Sequence, residues 1–379
     1  MPFTAALSEH PVPATAVGEV AGQVLEKLGP APDLAVLFVT PPHAGALEDA
    51  AAALHDILRP GMLLGCAAVS VVGTRREVER TPAVSLWAGR FGPAVPVRLT
   101  AARTVDGAVF DGWPDDLAFE PSTLVLLADP FSFPVEAFHA DLAARHPGLR
   151  VVGGNASGAV GPGGNRLVLD DRVHLSGAVG ALVGPGVEIE TVVSQGCRPI
   201  GRPYIVTRAD GTYVYELAGA PPLERLVEMS AGGIPESDLD LIDQGLHLGQ
   251  VIDERKLDFQ RGDFLVRTVL GADQANGAIA VDDAVPVGAT VQFHVRDAAS
   301  ADEDLRQMLS GLRADGALVF TCNGRGVQLF GVPDHDAQVL DDRIGVPAAG
   351  FFAAGEFGPV GGSNFLHSYT ASIALFRDR

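Results

Sequence analysis

GALVFTCNGRGVQLFG (residues 316–331) and VPAAGFFAAGEFGPVGGSNFLHSYTASIALF (residues 346–376) decide how the rest of the chain reads. Two apolar runs, 317–320 and 348–353, each end in a polar turn, and the spacing between them predicts a helix over 334–344. The first turn carries Cys322, Asn323, Gly324, Arg325 and Gly326. The second carries Gly355, Glu356, Gly361, Gly362, Ser363 and Asn364, with His367 and Thr370 just beyond. Strand ends that run into glycine let backbone N–H groups and a few side chains approach a ligand closely, so a small-molecule pocket is expected here.

Working outward, the same order recurs twice. Residues 33–40 (DLAVLFVT) read as a buried strand. Residues 46–58 read as a helix with Leu47, Ala50, Ala51, Leu54 and Leu58 on one stripe, and 62–73 as the next strand and its turn. Further on, 123–128 (TLVLLA) is a strand, 134–146 a helix carrying Val135, Phe138 and Leu142 on one face, and 149–158 a strand running into glycine. Each instance is one βαβ unit ending in a Gly-rich turn: Gly65-Cys66, Gly153-Gly154-Asn155 and Gly355-Glu356. Shorter strands are expected at 83–88 and 94–99.

Between the second and third units the sequence is β-rich, with strands expected at 166–169, 173–183, 187–194, 204–206 and 213–217. The last two are joined by the hairpin turn Ala209-Asp210-Gly211-Thr212. Pro221-Pro222 opens a helix over 223–229, and 231–238 (AGGIPESD) reads as loop. More strands follow at 247–252, 264–269, 278–281 and 290–295, then a helix at 301–312. The fold class predicted is α/β: two mixed-sheet domains built from βαβ units with added antiparallel strands. The division expected is a lead-in at 1–32, which includes a helix at 15–28, then domains at 33–220 and 221–379.

Length and composition narrow the function. A chain of 379 residues favours two domains over one. A formal charge of −20 repels phosphate backbones and anionic membranes, so neither nucleic acid nor a membrane is an expected partner. No apolar run approaches the roughly 20 residues that cross a bilayer, and the N-terminus lacks the marks of a signal peptide. Cys66, Cys197 and Cys322 lie far apart, which suggests neither a zinc site nor disulfides. These features set the expectation of a cytoplasmic protein. The Ala-rich composition, with Lys27 and Lys256 its only lysines, fits a bacterial source.

Charge placement points to the ligand. Residues 191–208 hold Arg198, Arg202 and Arg208 and no acid, and 317–330 hold Arg325 and again no acid. Arginines with no local acid suit a carboxylate or phosphate through paired hydrogen bonds, and Glu356 suits an amine, so a small anionic or zwitterionic metabolite is expected. Pairing of each arginine with a carboxylate distant in sequence is the competing reading. Cys322, beside Arg325, is a candidate nucleophile with His367 or Glu356 as base, though a lone cysteine at a strand end is more often just a small buried residue. Asp334-His335-Asp336 resembles a metal fragment but reads better as the acidic first turn of a helix, so no metal is expected. In GGNASGAVGPGG, Asn155 stands where a dinucleotide fingerprint needs its second glycine; no P-loop or nucleophile-elbow motif occurs, and no cofactor is expected.

These residues resemble the FIST (F-box and intracellular signal transduction) family. GCAAVSVVG (65–73), VVGGNASG (151–158) and QGCRPIGRPYIVTRADGTYVYELAGAPPLERL (195–226) are similar to its N-terminal region. FTCNGRG (320–326), AAGFFAAGEFGPVG (348–361) and NFLHSYTASIALF (364–376) are similar to its C-terminal region. The resemblance implies an intracellular sensory module that binds small ligands, amino acids among them; nothing in these residues resembles an output domain, so a separate signalling protein is the expected output, or there is none. It makes Cys197, Arg198, Cys322, Asn323, Arg325, Gly355, Glu356 and His367 pocket candidates. Arg202, Gly324, Asn364, Thr370, Gly153, Gly154 and Asn155 join them from the turns themselves. A cysteine-dependent enzyme acting on a small carboxylic or amide substrate, and a protein-interaction scaffold, are the alternatives.

Overall fold

The computed structural model describes residues 2–105, 107–232 and 235–379, in two compact units: Met1–Ser194 with Leu305–Arg379, and Gln195–Asp304. The first unit is a threefold repeat. Its first repeat runs β1 (Phe3–Ser8), α1 (Pro13–Leu28), β2 (Leu34–Val39), α2 (Pro41–Ala44), α3 (Leu47–Leu58), β3 (Leu63–Ala67), β4 (Ser70–Gly73), β5 (Arg76–Glu79) and β6 (Val84–Gly89). The second runs β7 (Ala94–Thr104), β8 (Gly107–Asp111), β9 (Thr123–Ala128), α4 (Val135–Arg145), β10 (Arg150–Asn155), β11 (Leu167–Leu169), β12 (Arg172–His174) and β13 (Ala178–Val183).

The third repeat opens with β14 (Val187–Gln195) and is then interrupted by the second unit. That unit holds β15 (Cys197–Asp210), β16 (Tyr213–Leu217), α5 (Pro222–Ala231), α6 (Glu236–Gln244), β17 (Leu246–Val251), β18 (Phe264–Ala272), β19 (Ile279–Val281) and β20 (Thr290–Arg296). The repeat resumes through α7 (Ala298–Met308), β21 (Gly316–Cys322), α8 (Val327–Phe330), α9 (His335–Arg343), β22 (Ala348–Ala353), β23 (Glu356–Val360), β24 (Ser363–His367) and β25 (Thr370–Asp378).

The three expected βαβ units are all present as parallel pairs: β2 with β3, β9 with β10, β21 with β22. Each first strand pairs on its other side with an antiparallel strand, β6, β13 or β25. Beyond these lie β1, β7 and β14. The far side of each sheet is completed by a hairpin from a different repeat. β11–β12 follows β10 but joins β3, β23–β24 follows β22 but joins β10, and β4–β5 follows β3 but joins β22.

Alternation along these strands sorts side chains between an inner core and three outer ones. Leu34, Val36 and Phe38, Val125 and Leu127, and Leu318 and Phe320 all enter one central cluster shared by the three sheets. The intervening residues pack under helices: α1 and α3 cover the first sheet, α4 the second, and α7 and α9 the third. Aromatic contacts tie the sheets together at the centre, with Phe351 at 5.1 Å from Phe38 and 5.7 Å from Phe320, and Trp87 at 4.7 Å from Phe376. Full burial of each such ring is worth about 1.5–3 kcal/mol.

One glycine recurs at the same place in every second strand. Gly65 lies opposite Leu37, Gly153 opposite Leu126, and Gly350 opposite Val319. A Cβ on each would sit 2.4, 1.9 and 1.8 Å from the partner's carbonyl oxygen. The strands approach too closely there for any side chain. Gly65 and Gly153 therefore belong to strands, not to the turns expected around them.

The Gln195–Asp304 unit is a closed antiparallel barrel in the order β15-β16-β19-β18-β17-β20. Ile200, Val206, Leu248, Phe293 and Val295 are among the residues of its own core. The compact units thus divide the chain differently from the boundary expected near residue 220, because the Ala209–Thr212 turn and Pro221-Pro222 both lie inside the barrel. Residues 1–32 are no lead-in: β1 extends the first sheet, and Ala16, Val17, Val20, Ala21, Val24 and Leu28 of α1 are buried. The strand expected over 173–183 is two strands, β12 and β13. The loop expected over 231–238 includes Gly233 and Ile234, which lie outside the described residues, and its last positions begin α6.

Gly350→Ala is expected to destabilise the protein by at least about 2 kcal/mol, since backbone must move to admit the methyl. Gly18→Ala, in α1 with nothing within 4 Å of its added methyl, is expected to gain about 0.5–1 kcal/mol. Urea unfolding of the two variants beside the native protein checks both signs.

Candidate functional site

The repeat supplies an internal reference for what is unusual. Val39 pairs with Val84, Ala128 with Ala178, and Thr321 with Ala371. The residues just after these first strands' matching positions are Thr40, Asp129 and Cys322, all buried. Across the exchanged hairpins, Val168 faces Gly65, Val72 faces Gly350, and Phe357 faces Gly153. The hairpin residue one position earlier is Leu167, Val71 or Glu356. Leu167 and Val71 belong to the central hydrophobic cluster. The third repeat places a carboxyl where the other two place aliphatic side chains. A second equivalence confirms the alignment: Ser85 Oγ donates to Val72 O at 2.6 Å, and Ser372 Oγ to Phe357 O at 2.7 Å.

Glu356 is 0% exposed. Its Oε2 accepts from Thr370 N at 3.1 Å and Thr370 Oγ1 at 2.8 Å, while Oε1 is buried without a hydrogen-bond partner. Burial pushes the carboxyl up to about 8, against the opposing pull of Thr370, Arg325 and the Cys322 thiol. Cys322 is adjacent, and Gly324 N lies 3.5 Å from its sulfur. Burial and the nearby Glu356 raise this thiol well above the ordinary cysteine range. The expectation that Arg325 would activate Cys322 is thus reversed, because desolvation outweighs the distant guanidinium.

The turns themselves interlock. Asn155 N donates to Gly355 O at 2.9 Å, Ala354 N to Asn155 O at 3.0 Å, and Asn323 N to Ala353 O at 2.9 Å. The Asn323 side chain, with its amide nitrogen inward, donates to Phe352 O at 2.9 Å and Ala353 O at 3.2 Å. Gly154 is needed here because a Cβ would lie 2.8 Å from that of Ala353. Gly355 has φ +124°, which favours glycine. Cys322, Asn323, Gly324, Glu356, Thr370, Gly154, Asn155 and Gly355 therefore meet at one corner of the first unit.

The remaining candidates do other work. Arg325 is 1% exposed and forms a two-point pair with Asp336, at 2.7 and 2.8 Å. Burial alone would raise Asp336; the guanidinium outweighs it and holds this carboxyl well below the usual range. Asp336 also accepts from Thr321 Oγ1 at 2.6 Å. Asp334-His335-Asp336 does open a helix, α9, and no cluster suited to a metal occurs among the described residues. Asn364 fastens β24 to the start of β10, accepting from Val151 N and donating to Leu149 O, both at 2.8 Å. His367 Nε2 lies 3.0 Å from Gly358 O.

Cys197, Arg198 and Arg202 belong to the barrel. Arg198 pairs with Asp238 and Asp297, at 2.5 and 2.6 Å, and the exposed Arg202 lies over the Tyr204 ring at 5.2 Å. Two of the arginines expected to hold a ligand carboxylate, Arg198 and Arg325, are paired with carboxylates outside their local stretch, which local sequence does not display. Asp336 and Thr370 Oγ1 are the decisive partners. Thr370 was visible as a turn residue; nothing in the spacing ties Asp336 to Arg325. A groove of about 730 Å³ between β1 and the 345–347 segment lies elsewhere on the first unit.

What the fold and this corner define is a two-unit α/β chain with a polar site at the third repeat's exchanged hairpin. Residues 33–220 match the FIST N domain and residues 222–359 the FIST C domain. The chain belongs to the FIST family, whose domains are sensory modules of signal transduction. It is 47% identical over 371 residues to a protein of Mycobacterium tuberculosis (strain H37Rv) described as uncharacterized, covering 96% of each chain. It is 46% identical over 372 residues to another so described from Mycobacterium bovis, covering 95% of each. No described helix is long and apolar enough to cross a membrane.

Two outcomes follow from the corner's electrostatics. The unfolded Glu356 carboxyl titrates near about 4.3, so between there and 8 the native state holds a proton that the unfolded chain has lost. Its contribution lowers stability as pH rises through that window and levels off above 8. Glu356→Gln is therefore expected to gain on the native protein between pH 5 and pH 8 in urea unfolding; parallel pH dependences would contradict the burial argument. Native Cys322 is expected to react with iodoacetamide at least about tenfold more slowly than glutathione at pH 7.5.

Proposed function

We propose that this chain is a sensory protein that recognises a small amine-bearing metabolite, amino acids included, at the Cys322–Glu356–Thr370 corner. The observation that carries the reading is Glu356 Oε1, a buried carboxyl oxygen without a partner at a position filled by Val71 and Leu167 in the sister repeats. A buried carboxyl lowers stability relative to an aliphatic side chain, so folding alone does not call for it. A ligand ammonium supplies the missing partner. Arg198 and Arg325 are already paired with Asp238, Asp297 and Asp336, so recognition rests on the ammonium. Membership of a sensory family supports binding over turnover, and the raised thiol disfavours the cysteine-enzyme alternative. A separate signalling protein would read the bound state.

Glu356 is protonated at neutral pH, so an ammonium ligand binds only as the carboxyl ionises. Calorimetric titration with the common amino acids and simple amines, in two buffers of different ionisation enthalpy, should show saturable binding with close to one proton released per site at pH 7. Affinity should rise towards pH 8 and then level off. Glu356→Gln should weaken binding at least about tenfold, or ~1.4 kcal/mol. Binding that is indifferent to this substitution, or no binding across the set, would sink the proposal.

A further inference from the structure

The outer edge of β1 is built differently from an ordinary exposed strand. Arg90 N donates to Pro2 O at 2.8 Å, and the register places Thr4 opposite Ala88, Ala6 opposite Leu86 and Ser8 opposite Val84. In an antiparallel ladder bonded pairs alternate, so Thr4, Ala6 and Ser8 bond to β6 while the N–H and C=O groups of Phe3, Ala5 and Leu7 point the other way. β1 is the last strand of its sheet, and no described residue bonds those groups.

They face the groove of about 730 Å³. Its lining includes Phe3, Thr4, Ala5, Ala6 and Leu7 in unbroken succession. Consecutive strand residues point to opposite faces, so a cavity touching all five runs along the strand's edge and not over one face. Their span is about 13 Å at ~3.3 Å per residue. The opposite wall is formed by Thr74, Arg76, Asp341 and Gly345–Pro347, and α1 contributes Gln23 and Lys27. Asp341 is paired with Arg75, and Arg76 with Glu9. Lys27 forms no ion pair among the described residues. The groove therefore offers three outward backbone donor–acceptor pairs and one uncompensated positive charge on a chain of net charge −20.

We propose that this groove binds an extended peptide segment of a partner protein, added as a further strand along β1 and carrying an acidic side chain opposite Lys27. Main-chain hydrogen bonds supply affinity in such strand addition, and the flanking contacts supply selection. Protein edges left open in this way are otherwise liabilities, usually blunted by charge, proline or a covering loop. The groove is separate from the Glu356 corner, and its loss leaves ligand recognition there intact.

The full chain should be panned against a phage-displayed library of random hexapeptides, with the selected peptides then made synthetically. Expected are β-prone sequences with at least one acid, whose binding slows hydrogen exchange at the Phe3, Ala5 and Leu7 amides and leaves those of Thr4 and Ala6 unchanged. Ala5→Pro removes one outward N–H without touching the β6 ladder and should weaken binding more than tenfold. Lys27→Glu, on the exposed face of α1, should weaken acidic peptides by a similar factor while preserving the fold, which keeps the test decisive if Ala5→Pro does not fold. Selection of no peptide, or of peptides that leave the Phe3, Ala5 and Leu7 amides unprotected and bind the Lys27→Glu protein equally well, would overturn the proposal.

Discussion

The ladders that pair Val168 with Gly65, Val72 with Gly350 and Phe357 with Gly153 all cross from one repeat to another. Without them each βαβ unit would be a sheet with a bare edge on its second strand, and the central cluster would lack a wall. With them, each sheet is held by two repeats, and the inner faces of all three close on one core. The glycine in each second strand belongs to the same constraint. It lets that strand sit close against the first while accepting the exchanged hairpin on its other side.

Repetition makes departures from the pattern informative. Two buried ionisable sites of the first unit stand in contrast. Arg325 and Asp336 pair at two points, with Thr321 also donating to Asp336, and behave as a neutral structural strut in which Arg325 Nη1 alone is left without a hydrogen-bond partner. Glu356 has no such counterpart. Thr370 satisfies one oxygen, and the other is held in a low-dielectric corner where a charge is disfavoured. The contrast separates a charge kept for folding from one whose position asks for something further.

Much of this fold is legible in the sequence. The strand-helix-strand order at 33–73, 123–158 and 317–353 is written in apolar periodicity, and all three parallel pairs follow it. The convergence of Cys322, Gly154, Asn155 and Glu356 is legible too, because glycine marks where strands crowd. The exchange of hairpins is not, since the partners of β4, β11 and β23 are chosen by shape complementarity between repeats and leave no local mark. Nor is the boundary of the barrel: a unit that begins at the end of β14 and runs into α7 keeps ordinary strand composition. Arg198 and Arg325 misled for a related reason. An acid-free neighbourhood in sequence says nothing about Asp297 or Asp336, brought in by tertiary structure.

The exchanged hairpins also set an order of events during synthesis. The chain leaves the ribosome from its N-terminus, and domains ordinarily fold as they emerge. Here β10 waits with its edge bare until Glu356–His367 have been made, and β22 closes onto β4–β5, which were made long before. Local hairpins cannot rescue this, because the missing ladders join residues remote along the chain, and such contacts form slowly. Nascent chains of this architecture would carry sticky parallel edges for most of translation, a natural burden for chaperones that shield unpaired strands.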